Sequence, residues 1–278
     1  MKSQLSGVPF ALVIVLEHPA ASSHPRVLCA AARACKAWRQ AVRQCSACNI
    51  DIEIDLHSSL LQLGSFTDWL QQHAGLVRSI STHASYLPHG TDVIQGLQKE
   101  VHYRTAVWLL RQALQLAALP PANEGPAALA VTAAGLQTPQ QQQQQQGLRL
   151  ASFSSRLDEP GAIGVLAVLP AASHSLTHLD LSMPQCSNAD YMDAAALAAA
   201  LARLSNLQHL ELDKGEGKPM KGSCIAAIKQ LTRLTYLLLE SEDWLSPEAD
   251  LRQLLAQPPP LRHLVLKGHY GRCSIYPT

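Results

Sequence analysis

One six-residue pattern, Leu-x-x-Leu-x-Leu, occurs four times between residues 176 and 266. The four copies begin at Leu176, Leu207, Leu234 and Leu261, so consecutive copies start 31, 27 and 27 residues apart. The second and third leucines of each copy are two positions apart, like side chains on one side of a β-strand. Each copy therefore predicts a strand with one buried side. Because a single strand cannot bury that side alone, the regular spacing predicts a solenoid of stacked strands.

Between the copies, the spacing of apolar residues is that of α-helices. Residues 190–204 combine apolar side chains at helical intervals with alanines, which favour helix. Ser223 is a predicted N-cap of a second helix, and Ser246 followed by Pro247 predicts the start of a third. The pattern therefore predicts one strand and one helix in each repeat, with the helices on the outer side.

Three weaker strand patterns precede the four copies. Residues 50–55 alternate apolar and acidic side chains, residues 77–80 follow an amphipathic segment at 65–74, and residues 148–153 lie one repeat before the first copy. The chain is thus predicted to contain six or seven strand units. Its 278 residues, of which 47% are hydrophobic, are ample for a continuous core.

Two parts of the chain depart from the repeat. The interval from residue 77 to residue 148 is too long for one unit, and residues at about 120–147 are rich in Pro, Ala and Gln. Such a segment buries too little apolar surface to order itself, so we predict a loop there. No helix pattern follows Leu266, so we also expect an open strand edge at 261–267 that favours self-association.

Two columns of side chains recur on the polar side of the predicted strands. The first column is His178, His209, Tyr236 and His263, and the second is Asp180, Glu211, Leu238 and Val265. Period-two alternation places both on the concave side of the solenoid, on strands about 4.8 Å apart. The columns predict a surface that binds a partner, although the same pattern fits a strand face that is merely solvated.

The acidic residues of the second column bear on the charge of the first. Asp180 and Glu211 stand two positions beyond His178 and His209, so we expect these imidazoles to favour their charged form. A metal site in the first column would have to skip Tyr236, so we predict no metal there.

The N-terminal segment predicts a small helical module. An alanine-rich helical pattern runs from His24 to Val42 and contains Cys35-x-x-Trp38. This pattern resembles the closing signature of the F-box, in which short helices dock on a Skp-type adaptor. Val8-Pro9 stands where that family has Leu-Pro, and Phe10 and Ala11 replace the acidic residues that usually follow, so the resemblance is to a degenerate F-box. The resemblance implies an adaptor-binding set, which comprises Pro9, Leu12, Leu16 and Trp38.

The leucine pattern is similar to leucine-rich repeats of the ribonuclease-inhibitor-like class, which have a full helix in each unit. With the N-terminal module, the chain resembles the F-box/leucine-rich-repeat family. This implies an α/β fold: a horseshoe-shaped leucine-rich-repeat solenoid at residues 46–278, preceded by an F-box-like module at residues 1–45. It also implies a non-catalytic role as the substrate receptor of a Skp–cullin–F-box ubiquitin ligase, with a Skp-type adaptor and an unknown protein substrate as partners.

Two alternatives are open at this point. The first is a leucine-rich-repeat scaffold of the cytoskeleton or cilium without a role in ubiquitin transfer. The second is a secreted leucine-rich-repeat binding protein, because residues 8–16 followed by 20–23 have the form of a short signal with a small-residue cleavage site. Seven cysteines, an odd number, do not suggest a disulfide framework, so a cytoplasmic location is expected, with nuclear, cytoskeletal or ciliary locations as alternatives.

Composition and motifs argue against several other classes of protein. A net charge of +1 without a basic cluster disfavours nucleic-acid binding, and no apolar run approaches the roughly 18 residues of a membrane span. Cys45-x-x-Cys48 lacks a second pair at zinc-ligand spacing. Phosphate-binding loops, hydrolase elbows and zinc-protease helices are absent from the sequence. We therefore expect neither an enzyme nor a cofactor.

Overall fold

The fold is that of an α/β protein built on one eight-stranded sheet. The computed structural model describes residues 10–45, 50–84, 93–118, 148–169, 175–183, 194–213, 222–240, 252, 254–256, 258–268 and 271–275. The strands follow one another in the sheet in chain order. They are β1 Ile50–Asp55, β2 Val77–His83, β3 Ser152–Arg156, β4 His178–Ser182, β5 His209–Asp213, β6 Tyr236–Glu240, β7 His263–Gly268 and β8 Gly271–Ile275.

Helices precede the sheet and connect its strands. Four short helices come first: α1 Phe10–Glu17, α2 Pro19–Ser22, α3 Pro25–Ala34 and α4 Lys36–Gln44. The later ones are α5 Leu60–His73, α6 Val93–Ala118, α7 Glu159–Val168, α8 Ala194–Ala202 and α9 Gly222–Lys229. A short 3₁₀ turn, Ala74–Leu76, leads from α5 into β2. Strand, helix and next parallel strand therefore alternate, which is the order of a solenoid-like α/β fold.

The leucine patterns set the register of the sheet. Strands β1 to β7 are parallel, and the central leucines Leu179, Leu210, Leu237 and Leu264 pair across β4 to β7. Phe153 and Ile80 continue this column through β3 and β2. All six side chains are buried. The core they form also contains the apolar side chains of α5 to α9, so the helices pack on the leucine side of the sheet.

Seven parallel strands agree with the predicted number, whereas the expected open edge at 261–267 is wrong. β8 pairs antiparallel with β7, joining Leu264 to Ile275 and Gly268 to Gly271. The backbone groups on that side of β7 are therefore hydrogen-bonded within the sheet.

The helix boundaries differ from the predictions in several places. α5 begins at Leu60 rather than residue 65, because the Ser59 side chain accepts a hydrogen bond from the Leu61 backbone N–H and caps the helix. Ser223, the predicted N-cap of α9, lies inside that helix. Three predicted features lie outside the described residues: the helix start at residues 190–193, the helix start at Ser246 and Pro247, and the whole low-complexity loop at about 120–147.

Helix α6 was not predicted and occupies much of the long interval between β2 and β3. Its 26 residues pack against α5 and α7. The buried side recurs at helical intervals and consists of Tyr103, Ala106, Leu110, Ala113, Leu114 and Ala117. α6 therefore supplies the helix of the second repeat unit, while the opposite side exposes Leu97, Val101 and Trp108.

A buried carboxylate ties α6 to the start of α7. Asp158, 3% exposed, caps α7 by accepting a hydrogen bond from the Gly161 N–H. The Tyr103 hydroxyl donates to Asp158 Oδ1 at 2.8 Å, and Arg104 Nη1 lies 2.8 Å from Asp158 Oδ2. Because removing one partner of such a network leaves a buried polar group unpaired, each member is expected to contribute to stability.

The four N-terminal helices pack onto the first edge of the sheet. Their buried side chains Leu16, Leu28 and Val42 form a second core cluster with Ile50 of β1 and Leu76. Partly buried Leu12 and Trp38 lie around this cluster, together with Trp69 of α5. The module thus covers apolar surface of the first repeat unit.

Replacing Leu210 by Asp tests the register. The side chain is 0% exposed, so the variant would remove a buried leucine and place a carboxylate in the core. We expect a loss of roughly 3–5 kcal/mol in the free energy of unfolding, measured by urea denaturation. Arg203→Asp, which adds a carboxylate at an exposed position after α8, is the control. An unchanged denaturation midpoint for Leu210→Asp would contradict the assigned register.

Two glycines of α7 provide a matched pair for testing the Asp158 cap. A Cβ on Gly161 would lie 2.6 Å from Asp158 Oδ1, whereas a Cβ on Gly164 would only reach ordinary contact with Arg111 at 3.6 Å. We expect Gly161→Ala to lower the melting temperature, because it displaces the capping carboxylate. Gly164→Ala should raise stability by up to about 1 kcal/mol through helix propensity. Equal effects at the two positions would contradict the described cap.

Candidate recognition surface

The sheet has one buried face and one face that carries polar side chains. In β4 and β5, central residues alternate between buried leucines and partly exposed polar residues. The polar side chains align across the strands because the register is unbroken from β3 to β7. Three aligned rows result. The ring row is His178, His209, Tyr236 and His263; the second row is Asp180, Glu211, Leu238 and Val265; the third row is Ser182, Asp213, Glu240 and Lys267.

The ring row forms a stack across four strands. The ring centroids of His209 and Tyr236 are 4.0 Å apart, with the rings 5° from parallel. His178 stacks on the other side of His209 at 5.4 Å, and His263 is tilted by 45° at 6.1 Å from Tyr236. Since the inner rings cover each other's faces, their edges form the surface. The stack therefore presents the edges of these rings on the polar face.

Neighbouring residues hold the carboxylates of the second row in place. The Ser154 hydroxyl donates to Asp180 Oδ2 at 3.0 Å, and His209 Nε2 lies 2.9 Å from Glu211 Oε1. Asp180 and Glu211 are directly paired on adjacent strands. Like charges in such a pair repel each other. The arrangement therefore brings two carboxylates together beside the ring row.

Two contacts link neighbouring strands in the third row, one hydrogen bond from a hydroxyl and one ion pair. The Ser182 hydroxyl donates to Asp213 Oδ2 at 2.9 Å, and Lys267 Nζ donates to Glu240 Oε2 at 2.8 Å. The Glu240 charge is thus balanced by a lysine on the next strand.

The expectation that His178 favours its charged form is wrong. Burial, His209 and Arg78 all lower the pKa of His178 below its usual value, so the neutral imidazole is favoured. The pKa of Asp180 moves the other way: burial raises it most, Glu211 raises it further, and the hydrogen bond from Ser154 opposes both. Burial and the cationic groups of other strands, His209 on β5 and Arg78 on β2, therefore outweigh any effect of Asp180 on the charge of His178.

Two predicted contact residues expose little surface. Leu238 is 6% exposed and Val265 is 7% exposed. The remaining six members of the predicted set, His178, Asp180, His209, Glu211, Tyr236 and His263, are exposed or partly exposed. A partner on this face would therefore meet rings and carboxylates first.

The residues of the predicted adaptor-binding set have different surroundings. Pro9 lies outside the described residues. Leu16 is 1% exposed and belongs to the core of the N-terminal module, while Leu12 and Trp38 are partly buried around that core. The aliphatic side chains that α1 exposes are Ile14 at 52% and Val15 at 54%. Periodicity did not single them out, because every residue of α1 except its last is apolar.

Other kinds of site are not seen in the part of the chain that the structure describes. No group of three or more His, Cys, Asp or Glu side chains there is arranged to hold a metal ion. None of the described helices has the length and hydropathy needed to cross a membrane. Cys35, Cys45 and Cys224 form no disulfide with one another or with other described residues.

No protein-family model matches the chain, and no curated protein matches its sequence.

The electrostatic environment of the ring row can be tested through the pKa of His178. Its imidazole should titrate below the usual value of about 6.5 in an NMR pH titration, because burial and neighbouring cationic groups disfavour the charged form. His209→Gln should move that midpoint upward by removing one such neighbour. His83→Gln, a change on β2 of the same sheet, is the control and should leave it unchanged. A His178 midpoint above 6.5 would contradict the described environment.

The same shift has a consequence for stability with a defined sign. The folded protein binds a proton at His178 less readily than the unfolded chain, so this residue opposes folding as pH falls below about 6.5 and has no effect well above it.

Proposed function

We propose that this protein is a non-catalytic leucine-rich-repeat recognition protein that acts as the substrate receptor of a Skp–cullin–F-box ubiquitin ligase. The observation that carries the proposal is the in-register sheet of seven parallel strands. Its leucine face is buried, and its opposite face presents the ring row and the carboxylates of the second row. Each strand adds one residue to each row, so the partner contacts are spread along the repeat array. Binding surfaces of repeat proteins are built in this way.

The N-terminal module supports the adaptor part of the proposal. The Cys35-x-x-Trp38 signature begins at the extended residue between α3 and α4 and continues into α4, where Trp38 packs against the module core. Ile14 and Val15 present adjacent aliphatic side chains on α1. Exposed apolar side chains of this kind suit a protein contact. In this proposal Ile14 and Val15 contact the Skp-type adaptor, while Leu16 and Trp38 hold the helices that present them.

One observation favours the scaffold alternative. The N-terminal module shares its core with Ile50 and Leu76 of the first repeat unit, so covering the solenoid edge is sufficient reason for its presence. A leucine-rich-repeat scaffold of the cytoskeleton or cilium would need the module only for that. Adaptor binding decides between the two functions.

The deciding experiment is capture of the full chain by a purified Skp-type adaptor. We expect binding by the unmodified chain and loss of binding in the double variant Ile14→Asp/Val15→Asp, because both side chains are about half exposed and available for contact. Leu61→Asp is the matched control, since it places a charge at an 83% exposed leucine on α5.

Circular dichroism should be the same for all three proteins, because none of these substitutions is in a core. Absence of adaptor binding by the unmodified chain would refute the ligase role and favour the scaffold. Equal loss of binding in Leu61→Asp would show that the α1 contact is wrongly assigned.

A further inference from the structure

The N-terminal module and the rest of the chain carry net charges of opposite sign. Residues 10–45 contain five of the 22 Lys and Arg residues of the chain but only one of its 21 acidic residues, Glu17. The remainder therefore holds 17 basic and 20 acidic residues. The net charge of +1 for the whole chain thus conceals a basic module beside a slightly acidic remainder.

Four of the module's cations are exposed on α3 and α4, at Arg26, Arg33, Lys36 and Arg39. Arg39 Nε donates a hydrogen bond to the Ala32 carbonyl oxygen at 3.1 Å, which holds this guanidinium at the end of α3 beside Arg33. Lys36 is the first residue of α4. Three cations therefore cluster where α3 meets α4, and the expectation that the chain has no basic cluster is wrong for this module.

None of these four cations forms an ion pair with a described residue. By contrast, Arg104 of α6 and Lys267 of β7 are each paired with a carboxylate. Neighbouring like charges repel each other, so an anionic surface placed against α3 and α4 would be attracted and would relieve that repulsion.

Apolar side chains lie between the cations of α3. Helical periodicity places five exposed residues on one side of this helix, namely Arg26, Val27, Ala30, Arg33 and Ala34. Val27 is 44% exposed, and the two alanines let the helix approach a surface closely. Helices that lie on anionic membranes combine cations with exposed aliphatic side chains in this way.

The surroundings of the cations favour lipid over other anionic partners. Binding of single-stranded nucleic acid commonly uses exposed aromatic side chains, whereas Trp38 of α4 is partly buried against the module core. A small cavity beside the module contains none of the four cations, because it is lined by Leu28, Val42, Trp69, His73 and Leu76. The cations thus project from open helical surface, around which mobile lipid headgroups can rearrange.

We propose that the exposed sides of α3 and α4 bind the surface of an anionic lipid membrane, with the four cations on lipid phosphates and carboxylates and Val27 at the level of the headgroups. Clusters of roughly four to eight basic residues on an amphipathic helix are typical of such binding. This surface does not include Ile14 or Val15, so the inference goes beyond the proposed adaptor contact and does not depend on it. Binding of this kind requires no membrane-spanning helix.

Flotation of the full chain with phosphatidylcholine vesicles, with and without phosphatidylserine, tests the proposal. We expect binding only when phosphatidylserine is present, and weaker binding as salt is added. Arg33→Gln/Lys36→Gln should lower the affinity roughly 25-fold, since each basic residue near an anionic surface contributes about fivefold. Arg39 is left unchanged because its hydrogen bond to Ala32 links the two helices.

Arg203→Gln/Arg233→Gln is the matched control, because it removes two exposed cations from later repeat units. Its affinity should stay within about twofold of the unmodified chain, since salt screens distant charges. Circular dichroism should be the same for all three proteins, because the replaced side chains are exposed. Equal weakening by the two double variants, or failure of the unmodified chain to bind phosphatidylserine vesicles, would overturn the inference.

Two further measurements identify the kind of partner. Val27→Gln keeps every charge and should weaken vesicle binding about threefold, because a partly buried aliphatic contact is lost. An unchanged affinity would contradict the contact of this side chain with the headgroups. Oligoglutamate and a short DNA duplex are titrated in parallel. Tighter binding of either one than of the vesicles would overturn the membrane as the partner in favour of an acidic protein or a nucleic acid.

Discussion

The central leucine column is the constraint on which the rest of the structure depends. Leu179, Leu210, Leu237 and Leu264 pair across four consecutive parallel strands and are almost fully buried. A shift of one residue in any strand would bring its leucine to the polar face and a histidine or tyrosine into the core. The same column therefore fixes the ring row. The alignment of the exposed rings follows from the burial of their neighbours.

The sequence predicted those parts of the fold in which apolar residues recur at regular intervals. Strands β4 to β7 each carry the same leucine pattern, so their number and register were readable. Helix α6 was missed because alanines such as Ala106 and Ala113 form much of its buried side, and alanine contrasts weakly with polar residues in a hydrophobic pattern. β8 was missed because its pairing with β7 determines it, rather than a pattern of its own.

The sequence predicted which residues of the candidate surface align, but it did not predict their charge and exposure fully. Alternation along a strand places His178 and Asp180 on one face, and the structure brings the two rows together. The charge of His178 instead depends on burial and on His209 and Arg78, which belong to β5 and β2. The low exposure of Leu238 and Val265 is also a tertiary property. Sequence separation hides such neighbours, so pattern analysis overestimated the influence of the nearest acid along the chain.

The reversal of chain direction at β8 limits how the number of repeat units can change. A unit inserted between two of the strands β1 to β7 meets parallel neighbours on both sides and can extend every row by one residue. A unit placed beyond β8 would meet an antiparallel strand, whose hydrogen-bond spacing alternates and whose chain runs the opposite way. Duplication within the array would thus lengthen the surface, whereas growth past this edge would require a different kind of junction.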